Sequence, residues 1–142
     1  MLSIHPADIN LNNPKIFTAK VIKIVDGDTF DVLTSENETI RIRMNGIDCP
    51  EKKQDYFQVC KNALSTFIAG KIVEIRSTGK DRYRRMLADV YLENKNINLL
   101  MIQKGYAWHF KKYSKDPKMA EAEIEARKEK LGLWKNANAI AP

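Results

Sequence analysis

"AKVIKIVDGDTFDVLTSENETIRIRM", residues 19 to 44, carries three short β signals separated by two breaks. Val, Ile, Thr and Phe dominate it, the residue types that suit a pleated, half-buried surface. The first break, Asp26-Gly27, is a pair that favours a tight hairpin, and the second is Ser35-Glu36-Asn37-Glu38. In the last segment Ile40, Ile42 and Met44 alternate with Arg41 and Arg43, so one strand face is apolar and the other carries two guanidinium groups. Alternation then stops, and Asp48, Cys49, Pro50 and Glu51 follow in series.

Downstream, QDYFQVCKNALSTFIAGK (54–71) places Tyr56, Cys60, Ala63, Leu64, Phe67 and Ile68 on one side at helical spacing, with Gly70 as the stop. Residues 72–76 read as a strand, STGKDRYRR (77–85) as a polar loop, and MLADVYL (86–92) as a fifth strand. Asn96 is placed to cap a short helix that runs through Lys104 and stops at Gly105. Asp116 at an N-cap and Pro117 behind it open a last helix to Lys130, ended by Gly132. Five strands and three helices predict an α+β domain built on a small barrel. Residues 1–15, with Pro6, Pro14 and three asparagines but no periodicity, read as an extended arm before a domain at 16–142.

The 142 residues amount to one domain, large enough to bury a core without disulfides or structural metal. A formal net charge of +6 suits a polyanionic partner. Cys49 and Cys60 are too few for a secreted disulfide framework; both are expected reduced, Cys60 as a small apolar residue on a helix face. No run of about 18 apolar residues exists to span a membrane as a helix. The opening residues MLSIHPADINLNNPK have no basic n-region and no apolar h-region, so no signal peptide is expected in them.

Asp28 begins a strand and shares a face with Phe30 and Val32, so its carboxylate needs a cation or several donors to offset desolvation. Asp48 ends the third strand, and Pro50 holds Cys49 extended. Two strand-end aspartates and a free carbonyl would make an open oxygen site suited to a hard cation such as Ca²⁺. A plain turn and two surface acids fit the same residues. Arg41 or Arg43, joined by Arg82, Arg84 or Arg85 around Tyr83, could clamp a phosphate through paired guanidinium donors. Surface ion pairs, worth ~0–1 kcal/mol each, account for those arginines equally well.

In combination the pieces are more specific. The order D-G-D-T, then R-x₄-D-x-P-E, then D-x-Y-x-R-x-L-A, with five strands and three helices, resembles the staphylococcal nuclease family over roughly residues 17–136. The resemblance implies a five-stranded OB-fold β-barrel with three helices. It also implies Ca²⁺-dependent hydrolysis of DNA and RNA at the 5′ P–O bond, leaving 3′-phosphates. By motif position, Asp28, Asp48 and the carbonyl of Cys49 look like metal ligands, and Glu51 looks like the general base. Arg43 and Arg85 look like the phosphate clamps, with Tyr83, Tyr113 and Arg82 as substrate-binding residues. A monomer without membrane association, secreted or periplasmic, is the expectation that follows.

Three features depart from the family's founding pattern. Position 49 is Cys in place of Thr, which is harmless if only the carbonyl binds metal. Arg84 and Met86 stand where glycines are found, so an Arg84 forced to positive φ would be strained. The segment between Glu51 and the first helix is short, which predicts a more open lip. The rival reading is a catalytically inactive nucleic-acid- or protein-binding module on the same fold. Such a module is expected to lack one or more of the five acids and arginines, and all five are present here.

Overall fold

The computed structural model describes residues 15–135, so residues 1–14 of the expected arm lie outside the described residues. In chain order the elements are β1 (Lys15–Asp26), β2 (Thr29–Leu33), β3 (Thr39–Met44), β4 (Ile47–Asp48), α1 (Phe57–Ile68), β5 (Ile72–Lys80), β6 (Met86–Leu92), β7 (Lys95–Asn96), α2 (Ile97–Gln103), β8 (Trp108–His109) and α3 (Pro117–Lys128). A 3₁₀ turn, Gly132–Lys135, follows α3.

β1, β2 and β3 form an antiparallel meander, and β1 also pairs with β5, which pairs with β6. β6 returns to β3 in parallel, matching Ile42 with Met86 and Met44 with Ala88, which closes a five-stranded barrel. Phe30, Ile42, Ile75 and Val90 fill it and are fully buried. This barrel with three helices is the α+β small-barrel domain expected from the alternating segments, and the OB-fold that the resemblance implies.

The β1–β2 hairpin pairs Asp26 with Thr29, leaving Gly27 and Asp28 as the turn. The Asp26 carboxylate accepts the Asp28 amide at 3.1 Å, a local bond typical of Asp in turns. A Cβ added at Gly27 would fall 2.9 Å from Cys49 Sγ and 3.2 Å from Cys60 Cβ, so only glycine lets this turn approach the chain beyond β4 and the start of α1. Helix α1 buries Cys60, Leu64 and Ile68, a narrower stripe than the six residues at helical spacing, and both cysteines are free. Asn96 and Asp116 cap α2 and α3 as expected, accepting the amides of Leu99 and Lys118 at 3.0 and 2.9 Å.

Several boundaries differ from the sequence reading. Asp28 lies in the turn before β2 rather than at the start of a strand. Asp48 lies on β4 rather than at the end of the third strand, because the Asn45-Gly46 turn interrupts it. β5 continues past Arg76 to Lys80, because a bulge between Ser77 and Gly79 keeps polar residues paired with β6. The loop that follows is therefore only residues 81–85. Helix α3 ends at Lys128 rather than Lys130, whose φ of 55° cannot continue a helix. A two-stranded ladder of β4 and β8, pairing Ile47 with His109 and Asp48 with Trp108, is new. Two-residue strands carry no periodic signal in a sequence. No described helix is long and apolar enough to cross a membrane.

Candidate active site

Asp28, Arg43 and Asp48 reach one point from three segments. The Arg43 Nη2 lies 3.6 Å from Asp28 Oδ2 and 3.7 Å from Asp48 Oδ1, while Nη1 donates to the Met44 carbonyl at 2.7 Å. The two longer distances are ion pairs rather than hydrogen bonds. Asp28 is buried and also accepts the Thr29 hydroxyl and the Cys49 amide, each at 3.0 Å. Arg41, on the same strand face as Arg43, is instead spent on Asp31, to which Nε and Nη2 donate at 2.8 and 3.2 Å.

Arg43 and Asp48 open onto a cleft of about 1120 Å³ that is also lined by Glu51, Arg82, Tyr83, Arg85, Lys112 and Tyr113. Eight of the nine expected site residues thus lie at this cleft or beside it, Asp28 just beneath Arg43. Glu51 is fixed through its backbone: its amide donates to Gln54 Oε1 at 2.7 Å and its carbonyl accepts the Gln54 amide at 2.8 Å. Tyr83 and Tyr113 are 63% and 73% exposed on the cleft wall. The guanidinium of Arg82 lies 4.9 Å and that of Arg85 5.4 Å from the Tyr83 ring centre. Phe110 packs edge-on against Tyr113 with centroids 4.9 Å apart.

The ninth residue, Cys49, contributes backbone. Its thiol is buried against the Tyr106 carbonyl at 3.5 Å, and burial pushes it well above the ordinary thiol pKa, which makes it a poor metal ligand or nucleophile.

The loop holding Tyr83 and Arg85 is organised by Asp81. Its Oδ1 accepts the amides of Tyr83 and Arg85 at 2.9 and 3.0 Å, and its Oδ2 accepts Arg85 Nε at 2.7 Å. Burial alone would raise the Asp81 pKa, yet these donors outweigh it and hold the carboxyl below the usual range. Arg84 has φ 63°, the left-handed conformation foreseen for a residue standing where glycine is the pattern.

Sequence reasoning passed over the frame behind these side chains. Asn98, fully buried on α2, donates to the carbonyls of Asn45 and Ala88 at 3.0 and 3.1 Å and accepts the Val90 amide at 3.0 Å. It thereby fixes the Asn45-Gly46 turn that carries the chain from Arg43 to Asp48. On the other side, buried Glu123 accepts the His109 amide at 2.6 Å and pairs with Lys111, holding β8 and through it β4. Asp81 stands in a motif already noted; Asn98 and Glu123 look like ordinary polar helix positions until their partners are known.

The charge balance at Asp28 and Asp48 is uneven. Burial pushes the Asp28 carboxyl up to about 7, more than the neighbouring Arg43 offsets, and burial raises Asp48 too. One guanidinium cannot neutralise two carboxylates, and the donors that remain are all oxygens. That set fits a hard divalent cation, which would restore both acids to the ionised form. Among the described residues no group of three or more His, Cys, Asp or Glu side chains converges on one point; this site offers two, with backbone and water to complete it.

The sequence profile of the family described as staphylococcal nuclease homologue matches residues 41–136. An uncharacterized endonuclease of Haemophilus influenzae is 45% identical over 125 residues, 88% of this chain and 70% of that protein. An uncharacterized endonuclease of Escherichia coli O157:H7 is 40% identical over 124 residues, 87% of this chain and 80% of that one. A micrococcal nuclease of Shigella flexneri is 38% identical over 137 residues, 89% of this chain and 78% of its relative. Barrel, site and matches agree, and the chain belongs to the staphylococcal nuclease family.

Proposed function

We propose that this protein is a Ca²⁺-dependent nuclease that hydrolyses DNA and RNA at the 5′ P–O bond, leaves 3′-phosphate ends and works as a monomer. The observation that carries the reading is the meeting of Asp28, Asp48 and Arg43 at a cleft whose walls also present Glu51 and Arg85. Bound by Asp28, Asp48 and the Cys49 carbonyl, Ca²⁺ would supply positive charge against the phosphate oxygens.

The side chains divide the remaining work. Glu51, exposed on the lip, takes a proton from the water that attacks phosphorus, a role worth about 10²–10⁴-fold in general. The oxygen of that water stays on the 3′-phosphate, and the P–O5′ bond breaks as the departing oxygen takes a proton from a solvent water, whose hydroxide is neutralised by the proton that Glu51 returns to solvent. Arg43 and Arg85 donate to the equatorial phosphate oxygens, whose charge grows in the transition state. Tyr83, Arg82 and Tyr113 hold the flanking nucleotides.

Degradation of plasmid DNA and of RNA with Ca²⁺, with Mg²⁺ and with chelator tests this reading. Turnover in Ca²⁺, little in Mg²⁺ and none in chelator or in Glu51→Gln is expected. Binding without turnover under every condition would favour the non-catalytic module instead.

A further inference from the structure

Three arginines near the site meet carboxylates in three different ways. Arg41 gives both Nε and Nη2 to Asp31, which leaves its fork occupied. Arg43 is shared between two acids and a carbonyl. Arg85 gives only Nε, to Asp81 Oδ2 at 2.7 Å, and among the described residues no acceptor reaches its Nη1 or Nη2. The reason is on the same side chain: Asp81 Oδ1 is already taken by the amides of Tyr83 and Arg85, so one oxygen alone is left for the guanidinium.

Asp81 also closes the loop through its backbone, its amide donating to the Arg85 carbonyl at 3.0 Å and its carbonyl accepting the Arg84 amide at 3.1 Å. A long, flexible side chain on a hairpin tip would otherwise sample many rotamers and lose that freedom on meeting phosphate. We propose that Asp81 is a positioning residue, a one-point tether that fixes Arg85 by Nε and presents its two terminal amino groups, already aimed, to the phosphate.

The kinetic part of the test rests on the nuclease reading above. Asp81→Asn keeps an Oδ1 to accept the two amides, so the loop stays closed, but it sets an NH₂ against Arg85 Nε and breaks the tether. It should lower kcat about tenfold with little change in KM or thermal midpoint. On an Arg85→Ala background the same change should cost nothing further, because a residue acting through Arg85 has nothing left to act on. An undiminished loss on that background, or no kcat loss at all, overturns the proposal.

A second measurement needs no turnover. The Arg85 Nε–H resonance of the free protein should exchange slowly with solvent in wild type and quickly in Asp81→Asn. Fast exchange in wild type overturns the tether whatever the kinetics show. Absence of turnover in wild type, with slow exchange intact, would defeat the nuclease reading and leave the tether standing. Should Asp81→Asn fail to fold, Asp81→Ser, whose hydroxyl can still accept a loop amide but whose short arm cannot reach the Arg85 guanidinium, supplies the same comparison.

Discussion

The guanidinium of Arg43 lies 3.6 Å from the buried carboxylate of Asp28 and yet does not settle its charge. Burial lifts Asp28 from its ordinary 3.8 to about 7, with Arg43 opposing and Asp26 adding to the rise. The sign follows from linkage. Between those two values the folded protein holds a proton that the unfolded chain releases, so this group's contribution to stability is full below about pH 4 and is lost as pH rises to about 7. Without divalent cation, Asp28→Asn should therefore gain on wild type as pH rises across that window. Saturating Ca²⁺ should reverse the order, because it stabilises only the chain that can bind it. Thermal unfolding of both proteins in chelator and in Ca²⁺, across pH 4 to 8, measures this. Parallel pH profiles would mean that Asp28 is comfortably ionised without metal.

Four arginines in two segments allow a comparison at constant charge. Arg43→Lys and Arg85→Lys lose the planar fork that meets phosphate and should lower kcat by about 10²–10³-fold. Arg41→Lys and Arg84→Lys should change kcat little, since Arg41 is engaged with Asp31 and Arg84 does not line the cleft. Folding of Arg43→Lys needs checking by circular dichroism, as this residue sits in a barrel strand. Equal, mild effects at all four positions would reduce the arginines to general attraction for a polyanion.

Arg84 at φ 63° carries backbone strain that glycine would not. Replacing it relieves about 1–2 kcal/mol of steric cost, against about 0.4–1 kcal/mol of extra freedom in the unfolded chain. Arg84→Gly should thus stabilise the protein by a net ~0.5–1 kcal/mol in urea unfolding, with kcat nearly unchanged. A loss of stability would show that the Arg84 side chain makes a compensating contact.

Asn98 satisfies three backbone groups at once, two of them buried. Asn98→Ala leaves the Ala88 carbonyl its bond from the Asn45 amide but strands the Val90 amide and the Asn45 carbonyl, which should cost about 2–3 kcal/mol in urea unfolding. Because one of the three is the carbonyl of Asn45, residual activity should fall further than the folded fraction. Loss of activity strictly in step with unfolding would assign Asn98 to stability alone.

What could be read beforehand was whatever repeats along the chain or caps an end. The alternation of Ile40, Ile42 and Met44 and the caps at Asn96 and Asp116 each carry their own local signal and stand where expected, while the Asp26-Gly27 signal marks a hairpin whose turn falls one residue later, on Gly27 and Asp28. At Arg84 the residue alone gave no signal; only the glycine of the family pattern raised the question of a positive φ, and the backbone answers it with 63°. Ser77 and Thr78 hid the end of β5, since polar residues on a bulged strand resemble a loop. Asn98 and Glu123 were mute for a different reason: their effect lies in which partners they meet, and those partners are brought together only by barrel closure and helix docking.

The ladder of β4 and β8 sets an order in time as well as in space. Asp28, Arg43, Glu51 and Arg85 all precede β8 in the chain, whereas the strand that pairs with Asp48 is β8 itself, held in place by Glu123 on α3. Ribosomes deliver the chain from its first residue onward, so the reactive side chains emerge long before the frame that aims them. A growing polypeptide would carry the parts of a nuclease beside its own messenger and still be unable to assemble them. Catalytic competence would arrive only once α3 has emerged and Glu123 can hold that frame.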